Sequence, residues 1–165
     1  MAKQSAVIPF WYDPKKQKYR FVLIKALTNQ DFIIPKGKIE PHLSASESAA
    51  KEAEEEAGVL GQSYQTPIAK WERNHKKIPV YLLEVHRLLH TYKEDYRPRV
   101  LVYEDEYRDM IADKALLEIL DKTVIILQST HDYSLRKAPV WSWTEKLNAL
   151  YLYLQWQRIL GNGSF

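Results

Sequence analysis

The apolar residues of this chain fall into short segments separated by turn-forming residues, which is the pattern of a protein rich in β-strands. Residues 5–11 and 19–26 are β-branched and aromatic and flank the turn-rich sequence YDPKKQ, which predicts two neighbouring strands. The apolar run at 32–34 ends at Pro35, which has no amide hydrogen, so the sequence PKGK is predicted to be a loop leaving a strand. Further strands are predicted at 66–73, 78–86, 99–104 and 123–128.

Capping signals predict a helix over residues 45–57. Ser44 precedes this segment and Glu47 follows three residues later, which is the spacing of a capping box, and Gly58 suits the position just past the helix end. Small side chains repeat along one face at helical spacing, which would let the helix lie close to a sheet. These residues are Ser46, Ala49, Ala50, Ala53 and Ala57.

Two further helices are predicted later in the chain, near residues 106–121 and 143–160. The second has its own capping box, Ser142 with Glu145, and is predicted to stop at Gly161. It is apolar over most of its circumference, so either the rest of the domain or a second copy in a homodimer must cover it. Together with the strands, these helices predict an α/β fold.

Length and composition limit the functional classes. A chain of 165 residues with 45% hydrophobic content is expected to form one domain, residues 1–165, that buries roughly 70% of its unfolded surface. There is no apolar run long enough to span a membrane and no secretory signal, so a cytoplasmic protein without membrane contact is expected. The absence of cysteine excludes thiolate metal sites and disulfides. A net charge of +3 without basic blocks does not indicate nucleic acid binding, and a polyanionic small molecule fits equally well.

The candidate chemistry concentrates on the helix predicted at 45–57. Glu52, Glu55 and Glu56 are spaced i, i+3 and i+4, so they share one face and repel one another unless a cation or water neutralises them. The cluster favours a hard divalent cation such as Mg²⁺, which takes carboxylate oxygens and is usually bound together with substrate phosphates. The alternative is an ordinary solvated, glutamate-rich helix face. The solvent-exposed flank is predicted to hold Glu47, Lys51 and Glu54.

The segment around these glutamates resembles the Nudix box. In that motif a Gly, five residues, a Glu and seven residues precede Arg-Glu-aliphatic-x-Glu-Glu-x-Gly-aliphatic, and residues 37–59 keep every interval. The matching positions are Gly37, Leu43, Lys51, Glu52, Ala53, Glu55, Glu56, Gly58 and Val59. Leu43 replaces the first Glu and Lys51 replaces the Arg, so the contacts that those two residues make in other members take another form here.

The resemblance extends beyond the box on its N-terminal side. The sequences AVIPF, RFVLIKA and FIIPKGKIEP look like the first half of Nudix domains, particularly those of the diphosphoinositol-polyphosphate and diadenosine-polyphosphate hydrolase-like branch, whereas residues 90–165 show little resemblance. It implies an α/β/α sandwich with a mixed β-sheet and helices on both faces, forming a single Nudix hydrolase domain over residues 1–165.

The resemblance also implies Mg²⁺-dependent hydrolysis of a phosphoanhydride bond, with Mn²⁺ as an alternative cofactor. The metal ligands it implies are Glu52 and Glu56, with the carbonyl of Gly37 as an additional ligand. Glu55 is expected to act as the general base or as a further ligand. The expected catalytic residues are therefore this base, Glu55, and the metal ligand Glu52. A catalytically weak Nudix-fold module that binds nucleotides or regulates another protein is the alternative function.

Basic residues near the box are the candidates for substrate binding. Lys36 and Lys38 flank Gly37, while Arg20 and Lys25 on the second strand add positive charge if they face the same cleft. Solvated surface side chains are the plain alternative for all four. A further aromatic candidate, Trp71, could stack on a base but is better explained as a core residue.

The sequence does not identify the substrate. The candidates are phosphorylated small molecules, either nucleotides or inositol polyphosphates, including diadenosine polyphosphates, diphosphoinositol polyphosphates and nucleotide sugars. Nucleic acid is expected only as a capped or 5′-phosphorylated RNA end.

Overall fold

The computed structural model describes residues 3–129, which form eight strands, two α-helices and one 3₁₀-helix. In chain order these are β1 (Gln4–Asp13), β2 (Lys18–Lys25), β3 (Phe32–Ile33), β4 (Lys36–Lys38), α1 (Ala45–Ala57), β5 (Val59–Ser63), β6 (Ala69–Arg73), β7 (Lys76–Leu88), β8 (Arg99–Tyr103), the 3₁₀-helix (Tyr107–Met110) and α2 (Lys114–Ser129). None of the helices in this part of the chain has the length and apolar character needed to cross a membrane.

All eight strands belong to one mixed sheet. Its central path runs β3-β2-β1-β7-β5, while β4 pairs with β1, β6 with β7 and β8 with β2. Strands β1 and β7 are parallel, with Ala6 opposite Val80 and Phe10 opposite Glu84, and every other pair is antiparallel. The predicted mixed sheet is therefore confirmed.

The two α-helices cover opposite faces of this sheet. Ser5 of β1 pairs with Gly37, whose open side faces Glu52 of α1. Phe10 lies five positions further along the same strand, and an odd separation puts its side chain on the other face. On that face the Phe10 ring contacts Tyr19, whose hydroxyl donates to the carbonyl of Leu127 in α2 at 3.0 Å. This arrangement confirms the predicted sandwich.

Most of the elements predicted up to residue 104 are confirmed. The strands expected at 5–11, 19–26, 78–86 and 99–104 are β1, β2, β7 and β8, and the helix at 45–57 is α1 with those bounds. The strand expected at 66–73 is shorter and begins at Ala69, and the run at 32–34 forms β3. The helix predicted at 143–160, with its caps Ser142, Glu145 and Gly161, lies outside the described residues.

Two predictions around the carboxylate segment were incomplete. The PKGK sequence is not a loop, because residues Lys36–Lys38 form β4 by pairing with residues 4–6 of β1. Strand β5 was not predicted, since Val59 follows the helix cap directly and no turn residue separates the two elements. As a result, α1 lies between two short strands of the same sheet.

The helix predicted near residues 106–121 has different bounds in the structure, and the strand predicted at 123–128 is helical. The helix expected at 106–121 begins as a 3₁₀-helix at Tyr107–Met110, is interrupted, and restarts as α2. The strand expected at 123–128 is the second half of α2, although its β-branched residues favoured a strand. Its buried residues recur at helical spacing, including Leu120, Thr123 and Leu127, so packing against the sheet overrides the local preference.

Candidate functional site

Helix α1 is fixed at both ends by the residues that predicted it. Ser44 Oγ accepts a hydrogen bond from the Glu47 N–H at 3.1 Å, and Glu47 Oε2 accepts one from the Ser44 N–H at 2.7 Å. Gly58 has a left-handed backbone, φ 62° and ψ 37°, and its N–H donates to the carbonyl of Glu54 at 3.0 Å. These caps set where the helix begins and ends, and so they set the direction of its glutamates.

The small side chains of α1 bring the helix close to the sheet. Ala49, Ala53 and Ala57 have no exposed surface, and α1 packs mainly against β1, β4 and β5. Ala50, predicted in the same stripe, is only partly buried, whereas Ser48 is buried and its Oγ accepts the Glu40 N–H at 3.0 Å. The stripe is otherwise confirmed, and it places the glutamates at the border between helix and sheet.

Gly37 gives Glu52 its position. A Cβ on Gly37 would lie 2.1 Å from the carboxyl carbon of Glu52, so any side chain there would displace the carboxylate. The backbone of Gly37 does not have a positive φ, and it belongs to β4. The glycine therefore serves the close approach of Glu52 to the strand.

Among the described residues no cation contacts Glu52, and the charge of Lys51 favours its ionised form only from a distance. Its carboxylate has no hydrogen bond and no ion pair within 4 Å among residues 3–129. Burial raises the pKa of Glu52 to about 7, and the negative charges of Glu56, Glu55 and Glu94 add to this rise. A carboxylate in such surroundings favours a cation, because a cation would restore its ordinary acidity.

Glu56 is buried, and each of its two carboxylate oxygens accepts a hydrogen bond. Its Oε1 accepts from Arg97 Nη1 at 2.8 Å, and its Oε2 accepts from the Lys36 N–H at 3.0 Å. Burial raises the pKa of Glu56, while the Arg97 guanidinium and the Lys36 amide oppose that rise. The negative charge of Glu56 thus has a cation of the protein beside it.

Glu55 is half-buried at the rim of the site and faces two lysines. Lys93 Nζ lies 3.2 Å from its Oε2, and Lys51 Nζ lies 3.7 Å from its Oε1. Lys51 also forms an ion pair with Glu40, three residues before Leu43. The prediction that placed Lys51 in solvent was therefore incomplete, because it bridges the β4–α1 connection to Glu55.

A charged segment between β7 and β8 lies beside the site, and sequence analysis did not predict it. The Glu94 N–H donates to the carbonyl of Glu55 at 2.9 Å, and Arg97 Nη1 lies 3.7 Å from Glu94 Oε1. Arg97 Nε also donates to the carbonyl of Lys25 at 2.8 Å. This segment brings a fourth carboxylate, Glu94, and two cations, Lys93 and Arg97, to the glutamate helix.

The donor set fits a divalent cation at Glu52. Carboxylate and carbonyl oxygens are the ligands that Mg²⁺ prefers, and the missing Cβ of Gly37 leaves room for the Glu52 carboxylate beside the strand. Within residues 3–129, no three acidic or histidine side chains converge into a metal-binding group. Glu55 and Glu56 turn toward Lys93 and Arg97 instead, as described above.

The predicted substrate lysines lie on the other side of β4. Side chains alternate along a strand, so Lys36 and Lys38 leave β4 on the face opposite to Glu52. Burial lowers the pKa of Lys36, and the charges of Arg73, Arg97 and Lys76 lower it further against the effect of Glu56. Lys36 thus joins a basic group near the turn between β6 and β7.

The structure does not bring Arg20 to the carboxylates. Its guanidinium lies over the rings of Tyr103 and Trp11, 4.4 and 5.6 Å from their centroids. It pairs with Trp11, six residues along β1 from the Ser5 that faces Gly37, which corresponds to about 20 Å of extended strand. A substrate contact by Arg20 therefore requires a ligand that extends far from Glu52.

Lys25 lies next to the site, and Trp71 lies in the core. The main chain of Lys25 adjoins the site through Arg97, and its side chain is partly exposed. Trp71 is completely buried, and its Nε1 donates to Asp113 Oδ2 at 3.1 Å, which confirms the core interpretation. Arg73 lies over the Trp71 ring and 3.3 Å from the same carboxylate.

Comparisons with known proteins test the family resemblance. The Nudix domain family matches residues 2–114, more than half of the chain. A search of curated proteins found no significant match. Among solved structures, an Ap4A hydrolase of C. elegans in a binary complex is 16% identical, covers 78% of this chain and 98% of its own, and has a TM-score of 0.57.

Two bacterial structures are similar to the same degree. A Nudix hydrolase from M. Smegmatis is 13% identical over 78% of this chain and 88% of its own, with a TM-score of 0.60. A Nudix-family hydrolase from Clostridium perfringens is 14% identical over 76% and 97%, with a TM-score of 0.58. At these identities the structures show a shared fold. The match to residues 2–114 and the capped glutamate helix that follows Gly37 show that this chain belongs to the Nudix hydrolase family.

Proposed function

We propose that this protein hydrolyses a phosphoanhydride bond in a nucleoside-diphosphate-linked or similarly polyphosphorylated small molecule, with Mg²⁺ as cofactor. The observation that carries the proposal is the Glu52 carboxylate, which lies against Gly37, has no counter-ion among residues 3–129 and has a pKa raised to about 7. Members of the Nudix family generally use divalent cations, and Mn²⁺ would suit the same oxygen ligands.

Glu52 is the central ligand in this proposal. Glu55 and the carbonyl of Gly37 are the further groups that would hold the cation, and Glu56 lies beside them. When bound, the cation would polarise a phosphoryl oxygen and lower the pKa of a water molecule. Binding would also return the pKa of Glu52 toward its ordinary value, because the cation compensates Glu56 and Glu94 as well.

Glu55 is the proposed general base. Its carboxylate lies at the rim of the site, where it faces Lys93 and Lys51. A water molecule held near Glu52 would lie within one helical turn of Glu55, since the two residues are three apart on α1. Glu55 would take the proton of that water as it attacks phosphorus.

Substrate phosphates are proposed to reach the site from the basic side. Lys36, Lys38, Arg73 and Lys76 belong to adjacent parts of β4 and the β6–β7 hairpin. Lys25 lies at the end of β2 next to Arg97, whereas Arg20 would meet only the far end of a long substrate. Such a distribution favours a substrate with several phosphates.

The substrate candidates follow from this chemistry. They are diadenosine polyphosphates, diphosphoinositol polyphosphates, nucleotide sugars and a capped or 5′-phosphorylated RNA end. The Ap4A hydrolase of C. elegans, although it shows only a shared fold, makes diadenosine polyphosphates the first to test. We place the protein in the cytoplasm as a single domain over residues 1–165, with a homodimer as the alternative assembly.

A second function is favoured by one observation. Glu55 and Glu56 face Lys93 and Arg97 and do not converge with Glu52. A module that binds nucleotides without cleaving them would need no converged carboxylates.

A release assay separates the two functions. The full chain is incubated with each candidate substrate in Mg²⁺ and in chelator, and phosphate and nucleotide products are separated by chromatography. The proposed hydrolase releases product from at least one substrate in Mg²⁺ and from none in chelator. Binding of a nucleotide without any metal-dependent product would instead support the binding module.

A further inference from the structure

Arg97 and Glu56 form the most buried ion pair among the described residues. Their side chains are 6% and 10% exposed, and Nη1 lies 2.8 Å from Oε1. An ion pair in such a position persists only when the remaining polar atoms of both partners are also satisfied.

Several of those remaining atoms have partners. Arg97 Nε donates to the carbonyl of Lys25 at 2.8 Å, and Glu94 Oε1 lies 3.7 Å from Nη1. The second oxygen of Glu56 accepts the Lys36 N–H at 3.0 Å. The pair is therefore held by three parts of the chain, the end of β2, strand β4 and the segment before β8.

The three glutamates of α1 differ in their compensation. Glu56 has a buried cation of the protein at hydrogen-bond distance, and Glu55 faces the side chain of Lys93, which is 68% exposed. Glu52 has neither. Three carboxylates could accommodate one divalent cation or two. The number of cations depends on which carboxylates already have a cationic partner in the protein.

We propose that Arg97 is the internal counter-cation of Glu56 and takes the place that a second divalent cation would occupy, so that this protein binds a single divalent cation, centred on Glu52. The inference rests on the proposed function, because it concerns the cation which that function requires. It assigns Arg97 as a positioning residue, which acts by holding the Glu56 carboxylate against β4.

The physical reason is the cost of removing the guanidinium from its partner. A divalent ion bound to Glu56 would lie within a few ångströms of Arg97, and their positive charges would repel one another in surroundings of low polarity. Moving Arg97 away would leave a buried guanidinium with only Glu94 and one carbonyl as partners. Glu52 presents no such obstacle.

Mn²⁺ binding, followed by electron paramagnetic resonance on the full chain without substrate, tests this inference. The wild-type protein is expected to bind a single Mn²⁺. Glu52→Gln is expected to weaken that site by about tenfold or more, as loss of a metal-site group does. Glu56→Gln is expected to leave the number of ions at one and the affinity essentially unchanged, because the amide oxygen can still accept from Arg97.

The Arg97→Met variant gives the opposite expectation. It leaves Glu56 as a second uncompensated carboxylate, so the variant should bind a second Mn²⁺, and added Mn²⁺ should raise its melting temperature more than that of the wild type. Lys93→Met is the matched control, because it removes the exposed cation that faces Glu55 and should leave a single ion. If Arg97→Met does not fold, the comparison of Glu52→Gln with Glu56→Gln decides the question.

Two results would overturn the inference and can be told apart. A wild-type protein that binds two Mn²⁺ and loses one in Glu56→Gln shows that Arg97 does not exclude a second cation, while the proposed hydrolase stands. A wild-type protein that binds no Mn²⁺ at millimolar concentration overturns the inference together with the proposed function.

Discussion

Replacing Gly37 with Ala tests the geometry of the site with a single methyl group. The new Cβ would lie 2.1 Å from the carboxyl carbon of Glu52, whereas ordinary contact begins at 3.4 Å, so the carboxylate must retreat by the difference of 1.3 Å. The backbone itself accepts Ala, because Gly37 lies in β4 without a positive φ. The perturbation therefore acts on the position of Glu52 and spares the fold.

The expected effect on catalysis is large and the effect on stability is small. A displacement of about 1 Å at a reacting group lowers the rate by about 100-fold, which corresponds to about 2.7 kcal/mol of transition-state stabilisation. The free energy of unfolding should change by less than about 1 kcal/mol, because the Glu52 carboxylate is the flexible end of a partly exposed side chain. The assay compares kcat/KM in Mg²⁺ with the thermal unfolding of the same preparation.

The double variant Gly37→Ala/Glu52→Asp supplies the control. Both changes displace the same carboxylate, so their losses should not add. A Gly37→Ala enzyme with the kcat/KM of the wild type, or two losses that add fully, would refute the assignment of Glu52 to the site beside Gly37.

Three further predictions concern the charge of Glu52, the helix cap at Gly58 and the contact between Lys51 and Glu55. Glu52→Gln removes a carboxylate whose pKa is raised to about 7 in the folded protein, so in chelator it should match wild-type stability near pH 4.5 and exceed it above pH 7. The gain is about 1–2 kcal/mol after allowance for solvent screening of the exposed half, and denaturation at both pH values measures it. Gly58→Ala places a Cβ at a φ of 62° and 2.4 Å from the Tyr92 ring, so chemical denaturation should show a loss of about 1–3 kcal/mol, well above that of Gly37→Ala. Lys51→Met should change stability by less than about 1 kcal/mol and lower kcat about tenfold through Glu55, and an unchanged kcat would show that this contact is unimportant.

The local features of the site were predictable from the sequence because their causes are local. Ser44, Glu47 and Gly58 fix α1 through hydrogen bonds and backbone geometry within a few residues, and the predicted bounds agree with the structure. The spacing from Gly37 to Glu52 identified the pair. The reason for the glycine was visible only in the structure, where Glu52 occupies the space that a side chain would fill.

The surroundings of the glutamates could not be predicted because they depend on distant segments. Arg97 is 41 residues from Glu56, and Lys93 is 38 residues from Glu55. No periodic pattern in the sequence specifies how the connection between β7 and β8 runs over α1. The position of Lys36 was not predicted because PKGK was interpreted as a loop. In the strand β4 the side chains alternate between the two faces, and this alternation turns Lys36 away from Glu52.

The second half of α2 shows the limit of local preference. The β-branched sequence TVIILQ favours a strand in isolation. Its position after Asp113, whose Oδ1 accepts the Leu116 N–H at 3.0 Å, begins a helix instead, and burial of Leu120 and Leu127 against the sheet extends it. Burial in the folded protein decides between two conformations that the sequence alone leaves close in energy.

The comparison of Glu52→Gln with Glu54→Gln tests the central claim most directly. Both changes remove one carboxylate from α1, but Glu54 is exposed and lies away from Gly37. Product release from the best phosphoanhydride substrate is measured for both variants in Mg²⁺ and in chelator. The account predicts that Glu54→Gln keeps the Mg²⁺-dependent activity of the wild type, whereas Glu52→Gln loses at least about 100-fold. Equal activity of the two variants in Mg²⁺ would contradict it.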